Sequence, residues 1–250
     1  MIGCFKNVKI APCNANGRLY TLGWHLYQIH HRWLLTDQSH RSVNKTVMPQ
    51  SDSAMNDHHV SSRPAVLDAI LAETQILGFA MASEPQIGSL LRTLAASKPH
   101  GYFLELGTGT GFGTASILSG MDADSLLESV ENDVTVLAVA QRHLTQDHRV
   151  TFHHEDGATF LMRSEGRFFD FIYADTWPGK FTYLSEALAL LAPGGIYIID
   201  DLLPQPSWPE GHAQKIPKLI TDLESRSDLS ITKLCWATGL IIATKNQNEA

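Results

Sequence analysis

A run of alternating glycines is the part of the chain best suited to bind a ligand. The run consists of Gly107, Gly109, Gly111 and Gly113, and Glu105 precedes the first of them by two positions. Glycine tolerates a positive φ in a tight turn, and it has no Cβ to keep a ligand away from the backbone. The flanking residues predict a short apolar strand before the run and a helix after it. The helix N-terminus would then turn free N–H groups toward a polar ligand.

The spacing of these glycines separates two classes of nucleotide site. A dinucleotide fingerprint has the pattern G-x-G-x-x-G, and its third glycine would fall on Phe112 or on Thr114. The observed E-x-G-x-G-x-G arrangement resembles motif I of the class I S-adenosylmethionine (SAM)-dependent methyltransferases. The resemblance implies SAM as the cofactor and assigns to its binding site Glu105, Gly107, Thr108, Gly109 and Gly111.

Acidic residues stand at the ends of the next four predicted strands. They are Glu131, Asp156, Asp175 and the pair Asp200 and Asp201. Ligands of an open α/β sheet bind outside the carboxyl ends of the strands, so we expect these side chains around one crevice. Glu131 lies about 20 residues beyond the glycine run, where a carboxylate can accept hydrogen bonds from both ribose hydroxyls.

A second cofactor contact is expected after the third strand. Asp156, with Gly157 and Ala158 behind it, resembles the family position whose side chain meets the adenine amine. The alternative is that Asp156 caps the helix that begins near Ala158, and one carboxylate can do both.

The segment from 169 to 180 narrows the class of enzyme. It resembles the segment after the fourth strand of the small-molecule O-methyltransferases related to catechol O-methyltransferase. The resemblance implies Mg²⁺ held by Asp175, Asp200 and Asp201, with Asp175 also beside the cofactor and Lys180 as general base. Asp201 stands where that family has Asn, and Lys180 lies further from Asp175 than the family lysine does. The alternative is that the first two aspartates cap their loops and that Asp201 is solvated.

A proline-rich segment that includes Trp208 and ends at His212 follows these aspartates. We interpret it as a loop on the substrate side, and His212 is a second candidate base. A packed surface loop in which His212 has only a capping role is the alternative.

Strands alternate with helices along most of the chain. This order predicts an α/β fold with a doubly wound, mostly parallel sheet, helices on both faces and a closing antiparallel hairpin. Two cover helices are expected within 61–100, and Ser83 is expected to cap the second. The strands after the glycine run are predicted at 125–130, 149–153, 168–174, 196–199, 229–236 and 240–244.

Residues 1–60 differ from the rest of the chain because no helical or strand period is sustained there. They are either an accessory extension or translated sequence upstream of the real start. We favour a start at Met48 or Met55, and place the methyltransferase domain at 61–250.

Composition restricts the class of partner. The 250 residues are 44% hydrophobic and carry a formal net charge of −7, which argues against a nucleic-acid partner. Three dispersed cysteines form no disulfide framework or zinc motif, and no stretch approaches the length of a membrane span. We therefore expect a soluble cytoplasmic protein with no membrane partner, and the resemblance suggests a homodimer.

The sequence thus predicts transfer of a methyl group from SAM to a hydroxyl oxygen of a small molecule. Three alternatives stay open: an NAD-dependent oxidoreductase on a similar sheet, a SAM-binding protein without catalysis, and a methyltransferase that acts on a protein. SAM binding without turnover would indicate the second, and a mass change in a protein would indicate the third.

Overall fold

One seven-stranded sheet runs through the described part of the chain, which is Asp57 and residues 63–247 of a computed structural model. The predicted extension at 1–60 lies outside this part except for Asp57. The strands are β1 (Tyr102–Leu106), β2 (Leu126–Glu131), β3 (Val150–His154), β4 (Phe169–Ala174), β5 (Leu191–Ile199), β6 (Leu229–Leu234) and β7 (Leu240–Lys245). Their order is β3-β2-β1-β4-β5-β7-β6, with β1 to β5 parallel and β7 antiparallel to both β5 and β6. The predicted mostly parallel sheet with a closing hairpin is confirmed.

Seven helices cover the described sheet. They are α1 (Val66–Leu77), α2 (Pro85–Ala95), α3 (Phe112–Gly120), α4 (Val134–Leu144), α5 (Gly157–Arg163), α6 (Leu184–Ala189) and α7 (His212–Glu224). None of them is both long enough and apolar enough to cross a membrane.

The core consists of two apolar clusters, one on each face of the sheet. One cluster joins Phe160 of α5 and Leu219 of α7 to the strands, and the other includes Ile70 of α1 and Leu91 of α2. The central strand β4 is buried over nearly its whole length, as its continuous apolar run predicts for a strand that is covered on both faces. This arrangement leaves the carboxyl ends of the parallel strands at one edge, where the acidic residues follow.

Two local predictions were wrong. Ser83 does not cap α2, because the N-cap position is Glu84 and the Ser83 hydroxyl faces other side chains. The spacing of Phe181, Leu184, Leu188 and Leu191 predicts one helix that continues to the Pro-Gly-Gly sequence at 193–195, but that helix ends at Ala189 and Leu191 begins β5. The register between β4 and β5 shifts in this region, so that the Pro-Gly-Gly sequence forms an irregular part of the strand.

Candidate active site

The glycine turn, residues 107–113, joins β1 to α3 in a conformation that requires glycine. Gly107, Gly109 and Gly111 have φ values of 99°, 52° and 96°. A Cβ on Gly107 would lie 3.0 Å from the main-chain oxygen of Asp175, so the turn also packs closely against the end of β4. The predicted turn is therefore present, and it lines the crevice at the carboxyl end of the sheet.

Glu131, the last residue of β2, stabilises this turn through hydrogen bonds to backbone amides. Its Oε2 accepts a hydrogen bond from the Gly109 amide at 2.8 Å, and its Oε1 accepts from the amides of Asn132 and Asp133 at 2.9 and 3.0 Å. The carboxylate also lines the crevice. Glu131 thus lies where the sequence placed it, and its contact with a ribose stays a prediction.

Glu105 lies beneath the glycine turn and is fully buried. One carboxyl oxygen accepts hydrogen bonds from the hydroxyls of Thr114 and Ser129, and the other has no hydrogen-bond partner among the described residues. Burial is the main reason that the pKa of Glu105 is raised to about 8. A Cβ on Gly113 would overlap this carboxyl group, which explains the fourth glycine of the run. In these contacts Glu105 shapes the turn from below, and its assignment to the cofactor site stays a prediction.

Thr108 also belongs to the support of the turn. Its hydroxyl is 2.6 Å from that of Ser129, and its amide donates to the main-chain oxygen of Val130 at 3.1 Å. The residue is buried but contributes to the crevice wall.

Asp156 is a helix cap in the structure. Its Oδ1 accepts hydrogen bonds from the amides of Ala158 and Thr159, the first turn of α5. Asp156, Gly157 and Ala158 are not among the residues that line the crevice. Asp156 therefore caps α5, as one of the two interpretations predicts, and its contact with the adenine stays a prediction.

The crevice is a single cleft of about 330 Å³. Its walls include the glycine turn and Glu131 on one side and the predicted catalytic residues Asp175, Lys180 and His212 on the other. Five carboxyl groups line it, against one lysine. They belong to Glu105, Glu131, Asp133, Asp175 and Asp201. Burial raises the pKa of Glu105 and of Asp175, so the negative charge of the cleft comes mainly from the other three. These still outnumber the lysine, and the cleft therefore favours a ligand that carries positive charge.

Asp200 anchors the acceptor side, by which we mean Asp175, Lys180, Asp200, Asp201 and His212. Its Oδ2 accepts a hydrogen bond from the Tyr173 hydroxyl at 2.7 Å, and its Oδ1 accepts from the Asp201 amide at 2.6 Å and from the Thr238 hydroxyl. Burial raises the pKa of Asp200 against the effect of these hydrogen bonds. Both oxygens are thus already engaged.

Asp175 stands next to this network. Its Oδ2 is 3.4 Å from the Ser83 hydroxyl, which in turn is 3.2 Å from the Tyr173 hydroxyl. Burial and then the negative charge of Asp200 raise the pKa of Asp175 well above its usual range, and the charge of Lys180 opposes them. The two carboxyl groups are therefore close enough to affect each other's ionisation.

His212, the first residue of α7, is held by stacking and by one hydrogen bond. Its ring lies 4.4 Å from the Trp208 ring centroid at an interplanar angle of 15°, and Phe181 meets it edge-on. Nε2 is 3.0 Å from the main-chain oxygen of Asp201, so we assign the proton to Nε2. Nδ1 is buried and has no partner among the described residues. Burial lowers the pKa of His212, which keeps the ring neutral at neutral pH.

The predicted metal set of Asp175, Asp200 and Asp201 is not assembled. No group of three Asp, Glu, His or Cys side chains within the described residues is placed to hold a metal ion. Asp201 has a left-handed backbone (φ 65°), and its Oδ1 accepts a hydrogen bond from the Trp208 indole at 2.6 Å. The three acids do follow the ends of β4 and β5, but both oxygens of Asp200 and one of Asp201 accept hydrogen bonds from protein donors, and Asp175 lies beside the Ser83 hydroxyl. The residues therefore do not fit Mg²⁺, and we derive no step through a metal.

Three residues that hydrogen-bond to the acceptor side were not among the site residues that the sequence predicts. Ser83 was interpreted as a cap, Tyr173 as one of several apolar strand residues, and Thr238 as part of a hairpin turn. Each contributes a hydroxyl to the carboxyl groups of the acceptor side. For Tyr173 a signal was available, since a tyrosine next to the last residue of a buried strand needs a partner for its hydroxyl.

Comparisons with known proteins agree with this architecture. Residues 104–202 match a family model described as a methyltransferase domain. A protein of Mycolicibacterium paratuberculosis that is predicted to be an O-methyltransferase is 27% identical over 143 residues. That match covers 55% of this chain and 64% of the relative's length.

Solved structures extend the likeness over most of the fold. A predicted O-methyltransferase from Klebsiella pneumoniae is 26% identical, with a TM-score of 0.66 over 75% of this chain and 93% of its own. The O-methyltransferase TomG from Streptomyces achromogenes, solved with SAM, is 21% identical, with a TM-score of 0.66 over 74% and 92%. An O-methyltransferase from Bacillus cereus, solved with S-adenosylhomocysteine (SAH), is 20% identical, with a TM-score of 0.67 over 75% and 93%. The predicted resemblance to class I SAM-dependent methyltransferases is confirmed.

Proposed function

We propose that this protein transfers a methyl group from SAM to a hydroxyl oxygen of a small molecule. One observation carries the proposal: a single cleft is lined by the glycine turn and Glu131 on one side and by Lys180 and His212 on the other. A donor and an acceptor bound at these two sides would meet inside the cleft. Catalysis of this kind depends mainly on holding the two reactants in line and on removing the acceptor's proton.

The cofactor side of the cleft consists of the glycine turn and Glu131. These residues fit SAM better than they fit a dinucleotide. SAM supplies a methyl group on a positively charged sulfonium, together with a ribose and an adenine. The positive φ angles of the glycine turn allow a ligand to approach the backbone, and Glu131 lines the cleft beside the turn, where we propose that it receives ribose hydroxyls. The surplus of carboxyl groups in the cleft favours a cation, whereas it would repel the pyrophosphate of NAD.

His212 is the residue that we propose as general base. A base must be unprotonated and must have a free lone pair that faces the substrate side. The Asp201 carbonyl occupies Nε2, which leaves Nδ1 as the free nitrogen, and burial keeps the ring neutral. The stacked Trp208 fixes the plane of the ring.

Lys180 and Asp175 have supporting roles in this proposal. Lys180 is buried and its Nζ donates to the Asp200 main-chain oxygen at 2.9 Å, so it acts as a donor and suits the stabilisation of a developing oxygen anion. The main chain of Asp175 packs against Gly107 and the residue lines the cleft, so a bound cation would favour the ionised form of its carboxyl group. The lysine that the resemblance names as base is thus proposed here as an electrostatic group.

The alternatives are less well supported. The comparisons point to methyltransferases rather than to NAD-dependent enzymes, and to O-methylation rather than to methylation of a protein. The homodimer stays a prediction from resemblance.

Production of SAH from SAM in the presence of a panel of small hydroxyl compounds tests the proposal. We expect SAH to form with at least one class of hydroxyl compound and not with its methoxy analogue, which has no free oxygen to accept the methyl group. SAM binding without turnover on any acceptor would favour the non-catalytic alternative. Methylation found only on a protein would show that the acceptor is a protein side chain and not a small molecule.

A further inference from the structure

The connecting segment, residues 78–84 between α1 and α2, contributes to the cleft although no motif of the sequence assigns it to a site. Four of its residues line the cleft, namely Phe79, Met81, Ala82 and Ser83. Ser83 belongs to the acceptor side through its hydroxyl, which lies beside Asp175. Phe79 differs from Ser83 because it contacts the glycine turn.

The Phe79 ring lies against Gly109. A Cβ on Gly109 would be 3.3 Å from Cε1 and 3.5 Å from Cζ of this ring. The ring therefore occupies the space that a side chain at position 109 would enter. Because Gly109 has no side chain, the aromatic surface beside the turn comes from a residue that is distant in sequence. Phe79 is half-buried, so part of the ring is free to contact a ligand.

Contacts of α1 hold Phe79 at this place. Gly78 ends the helix with a φ of 72°, and the Phe79 amide donates to the main-chain oxygen of Thr74 at 3.2 Å. The Thr74 hydroxyl is 2.8 Å from the hydroxyl of Thr110, which belongs to the glycine turn. The position of the ring relative to the turn is thus set by hydrogen bonds as well as by packing.

Glu131 shows which part of the cleft the ring adjoins. Its Oε2 accepts the hydrogen bond from the Gly109 amide, so the carboxylate and the Phe79 ring meet at the same residue of the turn. A carboxylate can receive the hydroxyls of a nucleoside, whereas the apolar surface of a nucleoside is stabilised by contact with another apolar surface. The two side chains together supply both kinds of contact.

We infer that Phe79 is a cofactor-binding residue that covers the nucleoside part of SAM beside Gly109 and Glu131. The contact is apolar and uses the part that SAM shares with SAH, rather than the charge of the sulfonium. The inference rests on the proposed function in one respect, since it takes this side of the cleft as the SAM site. It requires neither an acceptor nor a metal.

Calorimetric titration of three variants with SAM and with SAH, without acceptor, tests this inference. In Phe79→Ala we expect the Kd for both ligands to rise at least about fivefold, because the apolar contact is lost. Phe79→Leu keeps an apolar side chain, so we expect Kd values within about threefold of the wild type. Phe168→Ala is the control, since Phe168 is exposed and does not line the cleft, and it should bind within about twofold of the wild type.

Nuclear Overhauser effects between the Phe79 ring and bound SAH separate a direct contact from a change in the shape of the turn. We expect these effects in the wild type with SAH bound, and the signal that disappears in Phe79→Leu identifies the ring. This measurement uses the wild type, so it stands even if Phe79→Ala does not fold, which circular dichroism would show.

Three results would overturn the inference. One is a folded Phe79→Ala that binds SAM and SAH as the wild type does. Another is a loss confined to SAM, which would assign the ring to the sulfonium. The third is bound SAH without an Overhauser effect to the Phe79 ring. Because no acceptor is present, each of these leaves the proposed methyl transfer untouched, and absence of methyl transfer leaves the contact untouched.

Discussion

The two sides of the cleft are built from different kinds of contact. On the cofactor side the main chain dominates: three glycines at positive φ form the turn, and Glu131 holds it through backbone amides. On the acceptor side the contacts are between side chains that are distant in sequence. Tyr173 and Thr238 both donate to Asp200, and Ser83 reaches Asp175 from the segment before α2.

This difference indicates which side of the cleft can be common to many enzymes and which side is particular to one acceptor. A backbone site needs only a few residue types at fixed spacing, so it can be shared by enzymes with different acceptors. A network of side chains depends on every partner, because a buried polar group without its partner costs about 1–3 kcal/mol. We therefore expect changes on the acceptor side to affect turnover and changes on the cofactor side to affect binding and stability.

The largest effect is expected on the acceptor side, in His212→Ala. Removal of a general base typically costs about 10²–10⁴-fold in rate, so kcat should fall by that amount while the Kd for SAM stays within about twofold. Steady-state kinetics and a SAM titration give the two values, with the exposed His148→Ala as control. His212→Gln repeats the test with a larger side chain. A kcat close to that of the wild type would show that the proton is removed by another group.

The pH dependence of the free energy of unfolding should contain a contribution from Glu105, which lies beneath the glycine turn and not on the acceptor side. Its pKa is raised by burial from 4.5 to about 8, so the folded protein holds a proton that the unfolded chain releases between these values. The free energy of unfolding should therefore fall as pH rises through this window, by up to about 1.4 kcal/mol per pH unit.

Glu105→Gln removes this contribution and leaves those of Asp175 and Asp200 in place. Urea unfolding of both proteins at pH 5.5 and 7.5 gives the difference. We expect the variant to lose less stability than the wild type over this interval. An equal loss in both proteins would place the ionisation of Glu105 outside the window.

The smallest effect is expected from Gly113→Ala on the cofactor side. Alanine is a better helix former than glycine by about 1 kcal/mol, but the new Cβ would overlap the buried Glu105 carboxyl group. Overpacking of this kind costs about 1–3 kcal/mol, so we expect net destabilisation in urea unfolding. Ser119→Ala, at an exposed position of the same helix, is the control. A more stable Gly113→Ala would show that the carboxyl group moves aside without cost.

The sequence predicted the glycine turn well because the signal lies in one short run, whereas the cofactor contacts of this side stay predictions. The glycine turn and the strand-end Glu131 follow from residue type and spacing alone. The acceptor side was predicted only in part. Asp175, Lys180 and His212 do line one cleft with the glycine turn, but the direction of each carboxyl group depends on partners such as Trp208 and Thr238 that no local pattern connects to it. For this reason the sequence could not predict that the three acids of the metal set are not assembled in the described structure.

Calorimetric titration of the purified protein with SAM, and separately with NAD, tests the central claim most directly. We predict saturable binding of SAM and none of NAD. In Glu131→Ala the Kd for SAM should rise at least tenfold, because a hydrogen bond to a charged group contributes about 1.5–3 kcal/mol. Glu155→Ala, which removes a strand-end acid that pairs with Arg163 instead, should bind as the wild type does. Binding of NAD with no response to SAM would contradict the account and would assign the glycine turn to an oxidoreductase.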